Sequence, residues 1–100
     1  MRFVAVKGEE QQAVLLMHRM RSELVKMRTM QVNQLRGLLY EFGANLPRGR
    51  RKGMECVGDE LAKLEGVLPG MVIDTLRSQR ARIEGLDQNI AEIEKKLAVW

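Results

Sequence analysis

One hundred residues, 45% hydrophobic and 4% aromatic, suit a single domain with a modest core and exclude one rigidly filled by aromatic rings. The one cysteine, Cys56, excludes an intrachain disulfide and a cysteine-based metal cluster, and no apolar run approaches the roughly 18 residues needed to cross a bilayer. The formal charge of +4 is uneven, with nine Lys or Arg against four acids in residues 1–50 and eight against nine in residues 51–100, which permits a polyanionic partner without requiring one.

Residues 2–7, RFVAVK, alternate after Phe3 like a short strand and read as part of an N-terminal strap over residues 1–8. Gly8 is an acceptable helix cap, and Glu9 and Glu10 follow where the helix dipole favours negative charge. The stretch after it has no proline and one internal glycine, Gly37, which predicts a helix over residues 9–43, on the order of 50 Å long. Gly43, followed by Leu46-Pro47, stops it.

Turned at 100° per residue, Leu16, Met17, Met20, Leu24, Met27, Leu35, Leu38, Leu39 and Phe42, with Val14, Val25 and Val32 at one margin, occupy about half of the circumference. A two-helix seam needs only two positions per heptad, so this helix touches at least two neighbours, from its own chain, a second copy, or both. Arg21, Arg28 and Gln31 lie inside the apolar arc. They either brace packing, with long stems covering apolar surface, or meet a ligand or another domain.

Residues 44–53 read as a basic loop containing RGRRKG. It either moulds to phosphates or is a solvated turn, and the lack of an aromatic within it argues against reading bases. A short helix over residues 54–66 puts Val57, Leu61 and Leu64 on one face and ends at Gly66, and a turn over residues 67–71 contains Leu68-Pro69-Gly70. From residue 72 to 100 a heptad seam runs through Val72, Leu76, Gln79, Ile83, Leu86, Ile90, Ile93, Leu97 and Trp100. Gln79 is its one polar position, suited to fixing register. Arg82 and Asp87 could pair across a parallel dimer, while an antiparallel hairpin against the first helix fits the pattern equally. The seam ends in mid-heptad, so the sequence is expected to be a piece of a longer protein.

The expected fold is all-α: one domain, an elongated helical hairpin or coiled coil of two long helices with a short helix between them, self-associating. The expected interface is Leu24, Leu35, Leu38 and Phe42 with Leu76, Ile83, Leu86, Ile90, Ile93 and Leu97. Catalysis finds no inventory. Ser22 and Ser78 lie in predicted helices without a glycine-rich elbow, His18 has no second ligand at a useful spacing, the carboxylates sit beside cations, and no phosphate-binding loop occurs. These residues are therefore expected to hold no catalytic group, metal or cofactor and to have no enzymatic activity of their own.

The RFV.VK start, EEQQ, HR.R, RT....NQLRGLL.EFG and the following LP.G together resemble the insertion-sequence one-hundred-ten family of transposases, related to the Piv-type DNA invertases. The close match covers about half of the chain. Arg21, Arg28, Thr29, Asn33, Gln34, Arg36, Gly37, Glu41, Phe42 and Gly43 stand on the family pattern, while Gly8 replaces a commoner Ser and several Met replace Leu or Ala. The resemblance implies a parent with a resolvase-like N-terminal domain carrying metal-binding acids, a central helical segment and a C-terminal domain with a serine nucleophile. Such proteins recombine DNA under a bridge RNA as dimers that pair into tetramers. The implied role is oligomerisation and spacing between those domains, with further copies, DNA and guide RNA as partners, in a bacterial cytoplasm near the nucleoid. The alternative is a nucleic-acid-binding module using Arg48, Arg50, Arg51 and Lys52 with Arg36, Arg21 and Arg28.

Overall fold

The computed structural model describes residues 5–99, apart from the side chains of residues 5–7 and 50. Three helices follow one another: α1 (Ala5–Glu41), α2 (Arg50–Leu64) and α3 (Gly70–Ala98). No strand occurs among the described residues. The molecule measures 65 × 24 × 19 Å, close to the length of α1 alone. It is an all-α hairpin in which α1 and α3 run antiparallel, since Arg21 meets Glu94, Arg28 meets Asp87 and Gln34 meets Gln79.

The end of α1 is closed by its backbone. Gly43 takes φ 88°, a left-handed conformation that costs glycine little. The amide of Gly43 then donates to the Tyr40 carbonyl and that of Ala44 to Leu39, both at 3.0 Å, which is the Schellman pattern. Ala44 and Leu39 are both buried in the core, so the cap also fixes where the loop enters it.

The chain divides lengthwise into a head and a stem. In the head, α2 lies against both long helices, and Val32, Leu35, Leu39, Ala44, Val57, Leu61, Leu76 and Ile83 form one buried cluster, with Leu38, Leu46, Met54, Leu64 and Val72 packed around it. Ile73 is buried nearby, although the heptad pattern pointed to its neighbour Val72. In the stem, residues 8–27 of α1 and 91–98 of α3 include no buried residue, and Ile90 marks the boundary. Two helices cannot enclose a seam; a third is needed to cover its open side.

Two boundaries differ from the expectation for physical reasons. The strap over residues 1–8 is not extended where it is described: α1 already includes Ala5 to Gly8, because a lone strand leaves its backbone groups unpaired while a helix pairs them internally. Residues 1–4 of that strap lie outside the described residues, as does Trp100. The basic loop is also shorter than its sequence suggested. Gly49, at φ 92°, turns the chain into α2, so Arg50, Arg51 and Lys52 form its first turn.

Candidate functional site

The first cluster is a ladder between the long helices. Arg21 pairs with Glu94 at 2.6 Å and Arg28 with Asp87 at 2.8 Å. Each step of seven residues up α1 matches seven down α3, so the pairs stack at heptad spacing on one flank of the hairpin. Arg28 keeps 17% of its side chain exposed and Arg21 40%, so the inner pair is the better shielded from water and salt. Each arginine thus reaches across from α1 to a carboxylate of α3. Within the chain, Asp87, which could pair with Arg82 across a parallel dimer, meets Arg28 instead.

Gln79 closes the ladder toward the head. Its side chain is 5% exposed, and its amide nitrogen faces the Gln34 side-chain oxygen at 2.9 Å and that of Gln31 at 3.2 Å. A buried amide needs such partners, and they exist in only one register of α1 on α3. Gln31, one of the three polar residues inside the apolar arc of α1, thus partners the polar residue in the seam of α3, together with Gln34.

The second cluster is the basic turn. Arg48, Arg51 and Lys52 are exposed, whereas the side chain of Arg50 lies outside the described residues. Arg36 does not join them as a free cation: its guanidinium donates to the Pro47 carbonyl at 2.7 Å and reaches those of Leu46 and Gly49 at 3.4 Å. Beside the turn is a cleft of about 610 Å³ in which Arg28, Arg51 and Arg80 face Glu55, Glu84, Asp87 and Glu94. Three cations against four carboxylates leave no excess of positive charge for a phosphate there. Of the exposed cations, Arg48 and Lys52 lie outside that balance. Among the described residues no group of His, Cys, Asp and Glu is arranged to hold a metal ion.

The expected interface residues divide by burial. Leu35, Leu76, Ile83 and Ile90 are buried within the hairpin itself, so these four are not open to another copy in this fold. Leu24, Leu38, Leu86, Ile93 and Leu97 are half-buried, and Phe42 is 43% exposed. A different stripe lies open. Leu16, Met20, Met27 and Met30 are each about half or more exposed, and with half-buried Ala13 they follow a second heptad seam along α1, interrupted by Glu23.

The curated relatives place this molecule. The "Probable family 20 transposase" of Pseudomonas aeruginosa is 41% identical over 98 residues, covering 97% of this chain and 29% of that protein. The "Transposase for insertion sequence element IS1328" of Yersinia enterocolitica is 35% identical, and that for IS1111A of Coxiella burnetii 36%, each over 97% of this chain. The chain is homologous to a segment of the insertion-sequence transposases. It spans between a quarter and three tenths of the length of these three relatives, 27 to 29%. No family model matches the chain, and no solved structure matches it with significance.

The kinship sustains the resemblance read from NQLRGLL.EFG and corrects one expectation. Absence of enzymatic activity was inferred from a missing catalytic inventory, yet the relatives of this chain are named as transposases, which are enzymes. An inventory taken over a stretch that short does not decide the point. Sequence reading also passed over Arg80, which the fold brings to the same cleft as Arg28. Its signal was present: Arg80, Asp87 and Glu94 recur every seven residues on α3, as Arg21 and Arg28 do on α1.

Proposed function

We propose that this segment joins copies of a DNA transposase and spaces the domains on either side of it. The observation that carries this reading is the second heptad seam of α1, with Leu16, Met20 and Met27 left open in a stem where no third helix lies and Met30 open just beyond it. Methionine suits such a surface, because its flexible thioether adapts to a partner at little cost in strain. A second copy of the stem laid against the first completes a four-helix bundle and covers the half-buried Leu24, Ile93 and Leu97 as well. The 65 Å length supports a spacer. Domains resembling a nuclease and a transposase, DNA and guide RNA are the partners this reading assigns to the parent. No described helix is long and apolar enough to cross a membrane.

Sedimentation velocity over a dilution series tests it. The chain is expected to be dimeric or larger at tens of micromolar, and Met20→Glu with Met27→Glu to give a monomer with the head still helical. A natural chain that is monomeric throughout, or a double variant of unchanged mass, removes the reading.

A second reading rests on the exposed Arg48, Arg51 and Lys52 at the start of α2, whose first turn contains no acid. It makes the turn a contact for DNA or RNA backbone. Affinity for duplex DNA or structured RNA should then fall steeply between about 50 and 200 mM salt, and Arg48→Ala with Lys52→Ala should flatten that slope. No binding at the lower salt would dispose of it.

A further inference from the structure

Helix α2 has little local reason to begin where it does. Its cap, Gly49, supplies no side-chain hydrogen bond, its first turn has no acid, and Arg51 and Lys52 stand at the positive end of the helix dipole. Something outside α2 must hold that turn. From α1, the side chain of Arg36 reaches the preceding loop. Its guanidinium gathers the carbonyls of Leu46, Pro47 and Gly49, the last of which also accepts the Gly53 amide at 3.0 Å as the first bond of the helix.

The same guanidinium occupies the place where a side chain at position 53 would start. A Cβ on Gly53 would overlap Arg36 Nη1 and lie 3.3 Å from both Arg36 Cζ and the Pro47 carbonyl oxygen. Gly53 is buried in the second turn of the helix, where glycine is a poor helix former and alanine a good one. The Arg36 contact gives a reason for glycine there. A related seat recurs one and a half turns on, where a Cβ at Gly58 would come within 3.2 Å of the Arg80 guanidinium from α3.

We propose that Arg36 is a positioning residue that latches the first turn of α2 to α1 through the loop carbonyls, with Gly53 kept bare to seat it. The latch turns RGRRKG from a loose basic loop into the start of a helix, and so decides where Arg51 and Lys52 point. Arg36 acts through α2 and does not itself reach out to a ligand. The inference is independent of both functional readings above.

Amide hydrogen exchange on the intact chain tests it. In Arg36→Met, residues 50–56 should exchange at least about 10-fold faster while residues 76–90 of α3 stay within about twofold, as expected of a local opening. Arg36→Lys should restore little, because one ammonium cannot span three carbonyls as the guanidinium fork does. Gly53→Ala should accelerate exchange in α2 when Arg36 is present, by displacing the guanidinium, and slow it in the Arg36→Met background, where only the helix preference of alanine is left. That reversal of sign separates a latch from general packing. Protection of α2 unchanged by Arg36→Met, equal losses in all three helices, or Gly53→Ala slowing exchange beside Arg36 would each overturn it. Should Arg36→Met fail to fold, the effect of Gly53→Ala in the natural chain still decides.

Discussion

The head and the stem are built from the same two helices, yet they solve burial differently. Around Leu35, Leu39, Leu61 and Ile83 the long helices meet α2, and side chains become fully buried. Along residues 8–27 and 91–98 the same helices have only each other, and every apolar residue stays at least partly wet. Two helices make a seam and three make a core. Stability is thus concentrated at one end of the molecule, and the other end is left with apolar surface to share.

The largest effect should come from cutting into the head. Leu39→Ala removes a fully buried side chain and should cost about 2–5 kcal/mol in chemical denaturation. Leu24→Ala, at the half-buried stem seam, should cost about 1 kcal/mol in the monomer, because part of the side chain was never withdrawn from water. Equal losses at the two sites would erase the distinction between the regions.

The ladder grades the same contrast more finely. Arg28→Met, at the junction of head and stem, should cost about 1–2 kcal/mol, since the ion pair with Asp87 is largely shielded. Arg21→Met, further out, should cost about 0.5 kcal/mol and lose even that at high salt. Guanidine-free thermal melts at low and high ionic strength separate the two. A stronger salt dependence at Arg28 than at Arg21 would reverse the assigned shielding.

Much of this contrast was legible in the residues. The half-circumference apolar arc of α1 already required two neighbours, and in the head these are α3 and α2. The short helix with Val57 and Leu61 inward and the glycine stop at Gly43 were equally plain, because each is a local signal with a local cause. Other features depended on tertiary geometry. Four cations in six residues look like a loop by their effect on a helix dipole, and only the reach of Arg36 from α1 explains why α2 starts among them. The seam of α3 gave its periodicity but not its partner, since Ile83 and Ile90 pack equally well on a second copy or on α1. Arg21 and Arg28 stood out as cations on an apolar face, yet their partners showed only once α3 brought Glu94 and Asp87 opposite them.

The measurement closest to the central claim is residue-resolved hydrogen exchange followed across protein concentration. The account predicts that protection of residues 12–27 and 90–97 rises with concentration as stems pair, while residues 32–39, 57–61 and 76–83 are already protected when dilute. Protection that is independent of concentration in the stem, and as strong there as in the head, would contradict it.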